Sequence, residues 1–351
     1  MLPDALRSRL HALAWAAGAV AAIVATLLLL APTHDVGTVL AAFWRGSIGT
    51  TSALVSGTLV RVVPLTLLGV GLSIAFKAGV FNIGAEGQLL AGAAAATAVG
   101  LSLGALGGVS VVIALALSAV AGGAWAGVAA LLRYRFGVLE VISTMMLNFV
   151  AANLVSYLVR GPLQEPSRAY PQSALIDAAA RLPHLVPDSR LHVGIVLAIG
   201  ACIAGSWFLS RTVLGFRVRA VGASPTAAAA TGRINVAKVS AGALVASGAL
   251  AGVAGGVEVT GVTYALYEHL TPGYGFAAIA VAILAGLRPS MVFGSALLFA
   301  ALETGALGLQ RDAGVPSVVA TAIQAIVILA VIGAGSTKRL ASLSAPVGAP
   351  A

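Results

Sequence analysis

Side chains able to do covalent chemistry are scarce in this sequence. The lysines are Lys77, Lys238 and Lys338, and none follows a glycine, so a phosphate-cradling P-loop is excluded. The histidines, His11, His34, His184, His192 and His269, never stand three or four residues apart, so no helical histidine metal site is offered. Cys202 is the single cysteine. It excludes an internal disulfide and a Cys-based zinc cluster, and its apolar run reads as the setting of a small buried hydrophobe. Gly-x-Ser-x-Gly occurs once, at Gly100-Leu101-Ser102-Leu103-Gly104 in an apolar run, and no Ser–His constellation stands out inside the spans. No catalytic centre, metal or cofactor is expected.

What remains is polar chemistry in apolar surroundings. Asn82, Glu86 and Gln88 lie in or beside a short apolar segment that follows a Gly-rich break, Gly79–Gly84. Polar groups at membrane depth are costly unless they face a cavity or a partner. Asn82 and Glu86 suit the capped, positive end of a short helix, and all three suit a translocation path. Glu140, Thr144, Asn148, Ala152 and Ser156 recur every four residues, which places them along one helical face. Such a stripe fits a pore wall and equally a hydrogen-bonded seam between helices. Glu303 lies deep in an apolar run and is a further path candidate, with Arg61 as a speculative partner. Gly248, Gly252 and Gly256 form a ridge for close helix packing. Glu258 reads as interfacial, and Glu268 and His269 as solvated.

The elements that must position these groups follow from composition. The chain has 351 residues, 59% hydrophobic and 9% charged. A soluble domain is about a quarter charged, so too few polar side chains exist to cover a water-facing surface. The apolar bulk suffices for roughly ten spans of about 20 residues. The fold class is all-α: a polytopic membrane protein of about ten transmembrane or half-spanning helices. Spans are expected at 12–31, 55–76, 108–132, 139–159, 192–210, 239–257, 290–308 and 316–334, with short helices at 85–100 and 275–287. Residues 1–340 are expected to form one transmembrane domain, and 341–351 a flexible cytoplasmic tail. The proline-rich segment 160–191 is an extracytoplasmic loop, and the basic segment 211–238 is cytoplasmic.

With the N-terminus inside, 13 of the 20 basic residues fall on the cytoplasmic side, 6 outside, and Arg61 within a span. This asymmetry supports cytoplasmic termini and explains the net charge of +9 without nucleic acid. Span, glycine break and short helix occur around 55–100 and again around 239–287, with the breaks on opposite sides, the pattern of an inverted repeat. In the cytoplasmic segment, Ser224 is a natural N-cap and Pro225 a natural first helical residue, so Thr226–Thr231 reads as a short helix stopped near Gly232. Its small side chains permit docking into a groove on another protein.

Four runs then carry a resemblance. They are Gly79-Val80-Phe81-Asn82-Ile83-Gly84-Ala85-Glu86-Gly87-Gln88, Glu140-Val141-Ile142-Ser143-Thr144-Met145-Met146-Leu147-Asn148, Gly215-Phe216-Arg217-Val218-Arg219-Ala220-Val221-Gly222, and Gly273-Tyr274-Gly275-Phe276 followed by Ile279-Ala280-Val281-Ala282. In this order, over about residues 55–335, they resemble the inner-membrane permeases of ABC importers for simple sugars and nucleosides, most of all the nucleoside permeases served by basic-membrane-protein lipoproteins. Arg288-Pro289 departs from the more Asn-Pro-like turn of that group. The resemblance implies a bacterial cytoplasmic-membrane permease that dimerises with itself or a related permease. It also implies power from separate cytosolic ABC ATPases and substrate from an extracytoplasmic binding lipoprotein. Residues around 215–233 resemble the coupling segment, so Gly215, Arg217, Arg219, Gly222, Ser224, Pro225, Ala227, Ala228 and Gly232 become candidate ATPase contacts. A simple-sugar or branched-chain amino-acid ABC permease is an alternative. An ion-coupled secondary transporter, using Glu86, Glu140 or Glu303 as proton or sodium ligands, is the rival of a different class. Aromatic content is 6% and shows no clear base-stacking box.

Overall fold

The computed structural model describes residues 35–315 together with 318, 322, 325 and 326. The expected span 12–31, nearly all of the span 316–334, both termini and the tail 341–351 lie outside them. Among the described residues the chain is helical and forms no strand beyond isolated bridges. The helices are α1 (Val36–Ser47), α2 (Leu59–Lys77), α3 (Ala85–Ser102), α4 (Gly108–Phe136), α5 (Glu140–Arg160), α6 (Gly194–Arg211), α7 (Val213–Ala223), α8 (Pro225–Ala230), α9 (Val236–Glu258), α10 (Tyr274–Leu284) and α11 (Pro289–Ala313). Six described helical segments are long and apolar enough to cross a membrane: Ala53–Lys77, Gly108–Phe136, Glu140–Arg160, Gly194–Arg211, Val236–Thr263 and Pro289–Ala313. The protein is a multi-pass membrane protein.

The chain divides into two compact units, residues 1–54 with 301–351, and residues 55–300. In the first, α1 packs on the C-terminal part of α11. Val39, Ala42, Leu309 and Val315 form its buried core, and Gly46 faces Gly308 so closely that a Cβ on either would lie 2.6 Å from the other's Cα. Sequence reading missed α1, because twelve residues are too few for a span. Asp35 starts it, accepting a hydrogen bond from the Thr38 backbone N–H at 2.9 Å.

The second unit is built around α2 and α9. Nearly all of α2 from Val60 to Ala75 is buried, as its apolar residues on every side require. Its end is set by Gly79, at φ +72°, a conformation that costs other residues a steric clash. The Val80 N–H then bonds the Ala75 carbonyl and the Gly79 N–H the Phe76 carbonyl, which satisfies two otherwise orphaned acceptors. The ridge on α9 faces α4. A Cβ on Gly252 would lie 2.0 Å from the Ser118 carbonyl oxygen, and one on Gly248 2.6 Å from that of Gly122. Gly255, on the adjoining face, meets the Leu89 carbonyl of α3 as closely. Glycine thus brings α9 into backbone contact with two helices at once.

The pairing of helices is crossed. The short helix α3, which follows α2, packs against α9, and the short helix α10, which follows α9, packs against α2. Each half of the suspected repeat thereby lends its short helix to the other half. The polar segment 160–191 is irregular apart from a turn at Ala178–Ala180, and it is stitched to the loop 264–273 by Ser173 N–H to the Leu266 carbonyl and Ile176 N–H to the Tyr264 carbonyl.

Candidate translocation cleft and coupling segment

The Gly79–Gly84 break does not leave its polar residues free. Asn82 and Gln88 exchange side-chain hydrogen bonds, Asn82 Nδ2 to Gln88 Oε1 at 2.8 Å and Gln88 Nε2 to Asn82 Oδ1 at 3.0 Å. Asn82 also donates to the Ser247 hydroxyl of α9 at 3.0 Å and accepts from the Gly84 N–H. Both amides are buried. They turn the break into a rigid corner by satisfying one another, as buried polar groups must. Asn82 is therefore not the N-cap of α3; that position is Gly84, without a side-chain cap.

Helix α5 clamps this corner from the side. Asn148 accepts from the Gly87 N–H at 2.8 Å and donates to the Ile83 carbonyl at 2.9 Å. Thr144 donates to the Glu140 carbonyl and accepts from the Ile83 N–H at 3.3 Å. Glu140 sits at the start of α5 and pairs with Arg133 at 2.7 Å. The stripe every four residues along α5 is in its first half a seam to α3.

Glu86 joins the two short helices. Its carboxylate accepts from the Gly275 N–H, in the first turn of α10, at 2.6 Å and from the Thr271 hydroxyl. A carboxylate at a helix N-terminus meets unpaired N–H donors and the positive end of the helix dipole. Gly275 is needed there, since a Cβ on it would lie 2.3 Å from the Glu86 backbone nitrogen. Further out, Glu268 pairs with Arg160 through two hydrogen bonds, at 2.7 and 2.8 Å, and accepts from the Ser156 hydroxyl. The Arg160 hydrogen bonds, then that of Ser156, hold the Glu268 carboxyl down at about 2. Glu268, expected to be solvated, instead anchors the loop 264–273 to α5.

Between Glu86 and the Glu268–Arg160 pair lies a half-open cleft of about 410 Å³. Glu86, Asn148, Asn153 and Ser156 give it polar points, and Phe149 and Phe276 give it aromatic walls. Of the path candidates, Glu86 and Asn148 line this cleft. Asn82, Gln88, Glu140 and Thr144 do not line it, and Glu303 lies half-buried on α11 in the other unit. Arg61 donates to the Gly57 carbonyl one turn earlier on its own helix. The cleft residues that sequence reading missed are Asn153, Phe149, Phe276, Thr271 and Glu268. They converge from positions more than a hundred residues apart, and no local pattern announces that.

At the Lys77 end of the bundle, the segment after α6 is more ordered than a connector. Thr212 caps α7, accepting from the Gly215 N–H at 2.9 Å, and Ser224 caps α8, accepting from the Ala227 N–H at 3.2 Å. Pro225 is the first residue of α8, and Gly232 follows it at φ +65°. The expected helix at Thr226–Thr231 is thus observed one residue earlier, with α7 added before it. Gly215 and Gly222 allow α7 to lie against the chain, for a Cβ on them would fall 2.0 Å from the Phe208 carbonyl oxygen and 1.9 Å from that of Lys77. Arg219 and Ala227 face outward, Arg217 is half-buried, and Ala228 is buried.

Residues 54–332 match the family described as branched-chain amino acid transport system / permease component. The chain belongs to that permease family. Among its relatives, a glucose ABC transporter permease protein of Haloferax volcanii is 39% identical over 80% of this chain and 76% of its own length. A guanosine ABC transporter permease protein of Bacillus subtilis is 35% identical over 86% of this chain and 87% of its own. A nucleoside ABC transporter permease protein of Lactococcus lactis is 31% identical over 77% of each. No solved structure matches the permease. It is a transporter component rather than an enzyme.

Proposed function

We propose that the permease forms the translocation path of a nucleoside ABC importer in a bacterial cytoplasmic membrane. The observation that carries the reading is the cleft at the meeting point of the two short helices, lined by a carboxylate, two amides and two phenylalanines. Phe149 and Phe276 offer faces on which a planar base can stack. Glu86 and Asn153 offer acceptors and a donor for ribose hydroxyls or base edges. The guanosine and nucleoside permeases among the relatives support this substrate class. The glucose permease supports a second reading, a simple sugar held by the same polar groups with one ring stacked on an aromatic face.

On this reading a second permease subunit completes the path, a binding lipoprotein delivers substrate to the outer face, and a separate ATPase docks on α7 and α8. Nucleotide binding moves those helices, and the bundle rocks between outward and inward access around the corner fixed by Asn82 and Gln88. The test is uptake by proteoliposomes holding the permease, its ATPase and its binding protein. Guanosine uptake is expected to require internal ATP and to survive collapse of the proton and sodium gradients. Uptake without the ATPase overturns the importer assignment in favour of an ion-coupled carrier. Glucose uptake with no guanosine competition overturns the nucleoside assignment alone.

A further inference from the structure

A second cleft, also of about 410 Å³, lies at the coupling end of the 55–300 unit and takes no part in the path described above. Lys77 from the end of α2, Arg219 from α7 and Arg288 from the turn before α11 line it, with the hydroxyls of Ser206, Ser210 and Ser290. Among the described residues no carboxylate lines it. These three cations form no ion pair with any described residue, and Glu140 at the start of α5 is already taken by Arg133. The Ser206 hydroxyl is buried and without a hydrogen-bond partner. Helix α11 begins at the cleft with Pro289 and Ser290, so the positive end of its dipole adds to the field.

Three like charges drawn from separate elements into one cleft repel one another unless an anion lies among them. Guanidinium groups and hydroxyls match phosphate oxygens in charge and in hydrogen-bond geometry. The source of the phosphate follows from α6. Ile203 and Trp207, one turn apart and beside Ser206, are 66% and 62% exposed, and so present an apolar surface leading out of the cleft. A tryptophan at the end of a spanning helix is suited to the headgroup level, and basic pockets between spanning helices suit anionic headgroups. We propose that this cleft binds the phosphate of an anionic phospholipid, whose acyl chains run along the face of α6 that carries Ile203 and Trp207.

The full permease, purified in detergent, is offered phosphatidylglycerol or phosphatidylcholine, and retained lipid is read by native mass spectrometry. The wild type retains phosphatidylglycerol in preference to phosphatidylcholine, and each of Lys77→Gln, Arg219→Gln and Arg288→Gln lowers that preference about fivefold. The triple charge-keeping variant, Lys77→Arg with Arg219→Lys and Arg288→Lys, holds the preference. Arg135→Gln, which removes an exposed cation outside the cleft, leaves it unchanged. A preference that survives the triple glutamine variant, or is lost in the charge-keeping one, overturns the site. Displacement of the lipid by excess inorganic phosphate overturns the assignment to a phospholipid and gives the cleft to a free anion.

Discussion

Glu86 ties together two helices that enter the bundle from opposite halves of the sequence. Glu86→Gln keeps the size but replaces one carboxylate oxygen with an NH2 group, which cannot accept from both the Gly275 N–H and the Thr271 hydroxyl. Hydrogen bonds to a charged group contribute about 1.5–3 kcal/mol. The variant should therefore insert normally, melt at a lower temperature in detergent and lose most of its uptake. Asn148→Leu removes a different pair of contacts and leaves the Gly87 N–H and the Ile83 carbonyl without partners. Each orphaned buried group costs about 1–3 kcal/mol, so thermal unfolding should move down in step with transport. Substitution at Val150, on the exposed face of the same helix, should move neither. Of these residues, Glu86 and Asn148 were visible as polar outliers in an apolar chain. Their division of labour was not, because which polar residues face a cleft and which satisfy one another depends on partners far away in sequence.

At the scale of elements, the glycines of α9 separate two effects of one substitution. Gly252→Ala puts a methyl group 2.0 Å from the Ser118 carbonyl oxygen, a collision with backbone that no rotamer relieves. Overpacking of a tight contact costs about 1–3 kcal/mol, and folded yield in the membrane should fall sharply. Gly242→Ala, on the same helix, meets nothing within 4 Å and should be neutral or stabilising by up to about 1 kcal/mol through helix propensity. Equal yields for the two variants would show that the ridge does not pack as described. The loop 264–273 is tied by charge instead. The Glu268 carboxyl is held at about 2, below its ordinary 4.5, by Arg160 and then Ser156. The tie is complete above pH 4.5, weakens as protonation begins and is gone once the pH falls through about 2. Hydrogen exchange of residues 264–273 should be unchanged from pH 7 to 5 and accelerate, corrected for intrinsic rate, toward pH 3. Arg160→Gln should bring that loosening to neutral pH. In the proposed coupling segment, α8 presents Ala227 outward and Ala228 inward. Ala227→Asp should block ATP-driven uptake without loss of membrane insertion, whereas Ala228→Asp should also disturb the local fold. Wild-type uptake by Ala227→Asp would remove α8 from the coupling path.

Among the described spans, the one that ends in α2 is the most buried, while α4, α5 and α6 are buried over only about a third of their residues or less. Their apolar outer faces are left for lipid and, on the reading proposed above, for a second permease subunit. Composition and hydrophobic runs alone determined the helical membrane class, because an apolar chain of this length satisfies its backbone in a bilayer only by spanning it as helices or as a closed barrel, and the runs are of helix length. They also placed the described spans to within about five residues, α11 running on to Ala313 beyond the expected 308, except where a π-helical turn, Val259–Thr263, extends α9 past 257. The local rules of capping placed α8, since Ser224 and Pro225 act within one turn of themselves. Tertiary structure decided the rest. It crossed the short helices between the two halves, brought Glu86 to Gly275 and Ser156 to Glu268, and turned Asn82 and Gln88 away from the cleft toward each other. A hydrophobic period reports which face of a helix is apolar and says nothing of which helix will cover it. That choice is made by glycine-width contacts and by the need to pair each buried polar group, and both are properties of two segments at once.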